Sequence, residues 1–286
     1  MKKYTKYIGI LIAFILTSTI ISAQGDFISA KDFSKASKSK NSVIISAQSA
    51  KNYKLSHIKN AVFIDHHDLY KAGAVEGLIK SPADLAKYFG SKGVSEKKDI
   101  LIYDDGTNKY AARIYWILKY LGAPSVKILH KDMGAWRSAR VMITKAKTKV
   151  TPATFTPKLN KDIAADYNYV KANLTNSKVV MLDVRHLTEY NGTIAKPVSK
   201  GHIPGAKNLE WKKIETKSGA LLPNNELQSV FSSVGVTKDK TIVLYCGTSV
   251  RSGIVFVALK SLGYANVKVY DGAYNEWEAK GGKLIK

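Results

Sequence analysis

The chain has 286 residues, 45% apolar and 23% charged, a composition that suits two globular domains and excludes disordered or collagen-like architecture. Its 45 Lys+Arg against 22 Asp+Glu give a net charge of +23. A single cysteine excludes an internal disulfide and any multi-cysteine zinc or iron–sulfur centre.

Lys2, Lys3 and Lys6 precede an apolar run from Ile8 to Leu16, and the segment closes at Ile21-Ser22-Ala23. This pattern predicts a secretory signal peptide over 1–23, cut after Ala23, and hence a secreted or periplasmic protein. The rival reading is an uncleaved anchor. The run falls short of the roughly 20 apolar residues a spanning helix needs, so no stable membrane insertion is expected after cleavage. Removing three lysines and no acid leaves +20, so the basic bias belongs to the remaining chain.

The rest of the chain repeats itself. His57-Ile58 with Ala61 matches His202-Ile203 with Ala206 at an offset of 145, and Ile100–Tyr103 matches Ile242–Tyr245 at 142. By Leu121-Gly122 and Leu262-Gly263 the offset is 141, as it is for Trp136 and Trp277. Two related halves are therefore expected, 24–144 and 161–286, joined by a Thr/Pro/Lys-rich linker over 145–160 with Pro152 and Pro157. In the second half, Ile163, Tyr167, Val170 and Leu174 recur at helical spacing after Asn160 or Asp162 as a cap. Val179–Asp183 and Thr241–Tyr245 read as buried parallel strands, Ser252–Leu262 as a helix capped by Gly263, and Val267–Tyr270 as a further strand. Alternating strands and helices predict an α/β sheet with its site at the carboxyl ends of the strands.

Cys246 stands at such an end, in Cys246-Gly247-Thr248-Ser249-Val250-Arg251-Ser252-Gly253. Small residues let the loop curl so that backbone N–H groups converge as an anion-binding nest at a helix N-terminus. That nest and the charge of Arg251 lower a thiol's pKa and make Cys246 a nucleophile. The bland alternative is a buried, inert cysteine.

Around this loop lies an ordered series. It comprises Asp183-Val184-Arg185, Glu189-Tyr190, Gly201-His202-Ile203-Pro204-Gly205-Ala206, Leu262-Gly263-Tyr264, Tyr270-Asp271-Gly272 and Glu276-Trp277. With the Cys loop, it resembles the rhodanese (thiosulfate sulfurtransferase) family, and the first half resembles that family's non-catalytic domain. The resemblance implies two tandem α/β domains, each a parallel sheet flanked by helices, with the active site in the second domain facing the cleft between them. It implies sulfur transfer from thiosulfate, through a Cys246 persulfide, to cyanide or a thiol. Gly247, Thr248, Ser249, Val250, Arg251 and Ser252 form the cradle, Arg185 lines the donor pocket, and Asp183 orients the loop. No metal and no organic cofactor is implied.

In the first half the change of offset places Asp104 at the Cys246 position and Tyr110 at the Arg251 position, so this half walls the cleft without carrying sulfur. An acidic site at Asp104 and Asp105 is the lesser alternative. The opening Cys-Gly-Thr resembles 3-mercaptopyruvate sulfurtransferases, but Glu189 and Asn191 stand where those enzymes carry carboxylate-binding arginines. Thiosulfate is the expected donor, with 3-mercaptopyruvate, or a non-enzymatic sulfur carrier or binding module, as the alternatives. Ser249 replaces a common glycine. Phosphatases on this fold need Cys-x5-Arg, and this chain has Cys-x4-Arg.

His66-His67 after Asp65 could suggest a metal site, but two adjacent histidines on one loop are expected to point apart and lack further ligands, so solvated surface is the expectation. His202 is expected to be a structural hydrogen-bonder, and Trp136 and Trp277 packing residues. Lys196, Lys200, Lys207, Lys212 and Lys213 lack interleaved aromatics at stacking intervals, so no nucleic-acid partner is expected.

Overall fold

The computed structural model describes residues 25–130, 138–194 and 200–286; the expected leader, Trp136 and Lys196 lie outside the described residues. The first half runs β1 (Phe27–Ile28), α1 (Ala30–Ala36), β2 (Ser42–Ser46), α2 (Ala50–Leu55), β3 (His57–Ile58) and β4 (Ala61–Phe63). A 3-10 turn (His66–Leu69), α3 (Pro82–Ser91), β5 (Asp99–Tyr103), α4 (Lys109–Tyr120), β6 (Val126–Leu129) and β7 (Ile143–Thr144) follow. The second half runs β8 (Ala164–Ala165), α5 (Tyr167–Ala172), β9 (Val179–Asp183), α6 (Leu187–Tyr190) and β10 (Lys207–Asn208). It ends with a 3-10 turn (Trp211–Ile214), α7 (Asn224–Ser232), β11 (Thr241–Tyr245), α8 (Val250–Ser261), β12 (Val267–Tyr270) and α9 (Ala273–Ala279).

Each half builds a five-stranded parallel sheet, ordered β1-β6-β5-β2-β4 and β8-β12-β11-β9-β10. The two orders are the same, which is the sequence repeat expressed as topology. Central strands such as DILIY and TIVLY are buried along nearly their whole length, because helices cover both faces of a parallel sheet.

The helix expected from Ile163 begins later. Asn160 caps a 3-10 turn, Ala164–Ala165 pairs with Val269 and Tyr270 at the sheet edge, and Asp166 caps α5 through the Tyr169 N–H. Completing the sheet edge wins over one more helical turn.

The stretch over 145–160 is an extended strap fixed to the first domain. Ala153 N–H donates to Gly90 O, Lys158 N–H to Leu121 O and Asn160 N–H to Tyr120 O, and Phe155 is buried in the core. No helix among the described residues is long and apolar enough to cross a membrane.

The halves meet along α4 and α8. Val250 and residues Ser252 to Leu259 of α8 are all buried, because one side faces the sheet and the other faces α4. A Cβ at Gly253 would stand 2.8 Å from the Ala112 carbonyl carbon, so these backbones touch. Gly253 and Ala112 are equivalent positions of the repeat, at the offset of 141. A pseudo-two-fold axis therefore passes between them and relates the Asp104 and Cys246 loops.

Candidate active site

Strand β11 ends at Tyr245, paired with Asp183 at the end of β9, and the chain then turns through Cys246–Ser249 into α8. Ser249 takes the left-handed conformation, φ +61°, which is strained for a residue with a side chain. Its hydroxyl donates to Tyr270 O at 2.5 Å and ties the loop to β12. The serine thus compensates by hydrogen bonding for the freedom a glycine would bring. Asn108 does the same turn at the start of α4, φ +57°, which places the one-residue difference between the halves inside the loop, as the offsets indicate.

Cys246 O and Gly247 O accept from Tyr274 N–H and Asn275 N–H at 3.0 and 3.2 Å, at the start of α9. With these carbonyls tied outward, the N–H groups of Thr248 and Ser252 are left for the sulfur. Cys246 is 1% exposed. Burial alone would raise the thiol pKa, but the Arg251 charge and those two N–H groups outweigh it and bring the pKa below its ordinary value. The Ser252 hydroxyl, buried beside the sulfur, acts in the same direction. Val250 is buried at the start of α8.

Arg251 is itself held. Its Nη1 and Nη2 donate to the two Glu189 oxygens at 2.6 and 2.9 Å, a forked pair that fixes the guanidinium next to the sulfur. Glu189 N–H closes on His186 O, and its carboxylate also accepts from His186 N–H at 3.1 Å. Arg251→Leu removes the cation and raises the thiol pKa, so the thiolate fraction at neutral pH should fall by about tenfold or more. Alkylation of Cys246 by iodoacetamide, followed against pH, should show its acidic limb displaced to higher pH in this variant.

The first domain shows what such a nest holds. Asp104 Oδ1 accepts from Gly106 N–H at 2.7 Å and Asn108 N–H at 3.0 Å, and Oδ2 from Tyr110 and Ala111 N–H at 3.1 and 3.3 Å. An internal carboxylate sits where the sulfur sits in the second domain. Burial pushes its pKa up, and the four N–H groups oppose that shift. The loop geometry is therefore an anion cradle in both halves, filled by its own side chain in one and carrying a thiol in the other.

Two expected roles are corrected by the placement of Arg185 and Asp183. Arg185 is fully buried, and its Nε and Nη2 donate to the Asp183 carboxylate, with Nη2 also on Gly201 O at 2.9 Å. Its guanidinium lies 4.3 Å from the Tyr274 ring centroid. Arg185 is an internal strut between β9, the Gly201 turn and α9, not an open wall of the donor pocket. Asp183 accordingly orients Arg185 rather than the loop. Positions i and i+2 on an extended chain face the same side, which brings these two charges together.

His202 Nδ1 meets Tyr190 O at 3.0 Å and its ring stacks on Tyr190 at 3.6 Å; His57 does the same with Tyr53, at 2.8 and 3.9 Å. A histidine with the same contacts in the half without a cysteine is structural. His66 and His67 do not point apart: their rings lie 3.9 Å from each other, with Nδ1 of His66 on Tyr70 Oη and Nδ1 of His67 on Asp65. Trp277 is buried against Tyr167, with its Nε1–H on Lys283 O.

The first domain also reaches over the Cys loop, a contact that no sequence motif announces. Tyr70 and Ile79 bridge a hairpin whose Gly77 packs on Thr248; a Cβ at Gly77 would stand 2.7 Å from Thr248 O. Asp271 holds the hairpin from the second domain, accepting from Ile79 N–H at 3.1 Å and from Arg113 Nη2 at 2.6 Å. Arg113 Nη2 also donates to Gly77 O at 2.8 Å. The one signal for Arg113 in the sequence is its place as a lone cation inside the apolar run Ala111-Ala112-Arg113-Ile114-Tyr115-Trp116-Ile117-Leu118.

A model of the rhodanese-like domain matches the chain twice, over residues 29–139 and 166–280. The chain belongs to the rhodanese family. It is similar to the 3-mercaptopyruvate sulfurtransferase of Escherichia coli strain K12, 29% identical over 81% of this chain and 83% of that one. It is also similar to the thiosulfate sulfurtransferase of Pseudomonas aeruginosa, 28% identical over 82% and 87%. The crystal structure of SseA from Escherichia coli, a 3-mercaptopyruvate sulfurtransferase, superposes with a TM-score of 0.79 at 26% identity, covering 87% of this chain and 98% of that one. As a rhodanese, the chain has two domains of the family's fold, with its single cysteine in the second.

Proposed function

We propose that the protein is a sulfurtransferase that carries sulfane sulfur as a persulfide on Cys246, with thiosulfate as donor and cyanide or a thiol as acceptor. The observation that carries this reading is the position of Cys246 between the end of β11 and the start of α8, in a loop whose N–H groups face the sulfur, with Arg251 fixed beside it by Glu189. The thiolate attacks the outer sulfur of thiosulfate, the S–S bond of the donor breaks, and sulfite leaves with the bonding pair. The persulfide then bears the negative charge, and the N–H groups of Thr248 and Ser252 and the Arg251 cation stabilise it where they stabilised the thiolate. Cyanide attacks the outer persulfide sulfur, thiocyanate leaves, and the Cys246 thiolate returns.

Glu189 supports thiosulfate over a keto-acid donor. A keto-acid donor such as 3-mercaptopyruvate needs a cation for its carboxylate. Glu189 is a carboxylate here, it neutralises part of Arg251, and Arg185 is committed to Asp183. Thiosulfate has no carboxylate to be recognised; its attraction to the site rests on the Arg251 cation and the N–H groups of the loop.

The test is intact-mass measurement after exposure to each donor separately. Thiosulfate is expected to add the mass of one sulfur atom, and cyanide to remove it. Loading by 3-mercaptopyruvate alone would reassign the donor, and loading by neither would end the enzymatic reading.

A further inference from the structure

The pseudo-two-fold axis gives the molecule a second cleft. The hairpin bridged by Tyr70 and Ile79 covers the catalytic loop of the second domain, and a hairpin bridged by Glu215 and Leu221 reaches toward the loop of the first. Ile79 N–H is held by Asp271, and Leu221 N–H by His130 Nε2 at 3.3 Å, at equivalent positions of the repeat. Gly77 faces Thr248 in the first cleft, and their counterparts Gly219 and Thr107 line the second.

The two clefts differ in three ways. Between its bridged residues the second hairpin is three residues shorter, and where Gly77 closes on Thr248 the second cleft keeps a cavity of about 330 Å³. Its nest is already filled by Asp104, which leaves only the outer space free. That space is cationic. Lys212 and Lys217 line it, and Lys109 lies 5.9 Å from the ring of Trp211, against the Glu215 carboxylate and the internally paired Asp104.

Trp211 forms part of the wall, 4% exposed, with Lys212 and Lys109 standing 5.1 and 5.9 Å from its ring, so the aromatic face helps to gather cations at the cavity. Thr107 and Thr216 complete the wall, with their hydroxyls bonded to Asp104 and Ser218.

We propose that this second cleft binds a compact oxyanion, of the sulfate or thiosulfate kind, held by Lys212 and Lys217. No sulfur is transferred there, because Asp104 stands where Cys246 stands. Residues of both domains line the site, so an occupied cleft resists separation of the domains and raises the melting temperature. The site does not depend on the reaction assigned to Cys246, since only a dianion of the right size is required.

Selenate tests it, as a tetrahedral dianion that has no sulfane sulfur to give and is visible by anomalous scattering. In the Cys246→Ala chain, crystals soaked in selenate should show an anomalous peak between Lys212, Lys217 and Trp211, and tryptophan fluorescence should titrate to saturation. The Lys212→Ala/Lys217→Ala variant should weaken that titration by about tenfold or more, the loss of roughly one charge-assisted contact. In a chain with Cys246 intact, the same lysine pair should leave sulfur loading unchanged, which separates this site from the catalytic one. Selenate found only in the catalytic cleft, or a lysine variant titrating like its parent, overturns the proposal. Saturation by pyruvate without saturation by selenate overturns the oxyanion assignment.

Discussion

Cys246→Ala is expected to lose sulfur loading and thiocyanate formation by at least about a thousandfold, because no other group of the chain can form a persulfide. The fold should barely change. The side chain removed is small, Ser249 still ties the loop to Tyr270 O, and Arg251 keeps its forked pair with Glu189. Thermal unfolding should therefore stay within about 1 kcal/mol of the parent. A large loss of stability together with the loss of activity would mean that the thiol is a packing residue, the bland reading of a buried cysteine. Intact mass after thiosulfate and a melting curve on the same sample distinguish the two. The first half already points to the outcome, since its loop folds with Asp104 in the equivalent place and a left-handed residue, Asn108, before the helix.

The repeat is legible in the sequence because local rules write it twice. Both halves need an apolar strand, a tight loop and a helix start at the same spacing, and the offset change from 142 to 141 locates the extra residue in the loop that holds Asp104 and Asn108. Cys246 is legible for the same reason, as a polarizable nucleophile at a strand end before small residues. The roles of Arg185 and Arg251 are only half legible. Both read as cations for the donor, and each proves to have a carboxylate of its own, Asp183 two residues away and Glu189 62 residues away. The first can be anticipated from strand geometry. The second cannot, since nothing local brings α6 to the start of α8.

The part played by the first domain is least legible. It is expected to wall the cleft, and its hairpin does so, but the contacts that hold the hairpin join residues 158 and 192 positions apart. Sequence periodicity reports which face of an element is apolar; it is silent on which loop of another domain lies against it. The charge of the chain is distributed unevenly between the two clefts. Three of its lysines, Lys109, Lys212 and Lys217, gather at the second cleft, whereas in the catalytic cleft the arginines are largely matched by acids.

Asp271→Ala should be the most destabilising single change at the domain boundary. Arg113 has no exposed surface, and its Nε and Nη1 are buried without hydrogen-bond partners among the described residues. Burial would lower its pKa, and the Asp271 carboxylate at 2.6 Å more than offsets that, so the charge is kept. Removing Asp271 leaves an uncompensated buried cation next to the rings of Tyr70 and Trp116, a loss of about 3–5 kcal/mol. Arg113→Leu should cost less. It takes away the charge together with the two unpaired donors, and it leaves Asp271 with 16% of its side chain in water and the Ile79 N–H still bound. Combining Arg113→Leu with Asp271→Ala should therefore recover much of the stability lost in Asp271→Ala alone, a coupling of roughly 2 kcal/mol or more in a double-mutant cycle. Chemical denaturation of the four chains measures it, and additive losses would show that the pair does not act as one unit. The same ion pair seats Gly77 on Thr248, so Asp271→Ala should also expose the Cys loop, read as faster hydrogen exchange at Thr248 and Ser252 than in the parent chain.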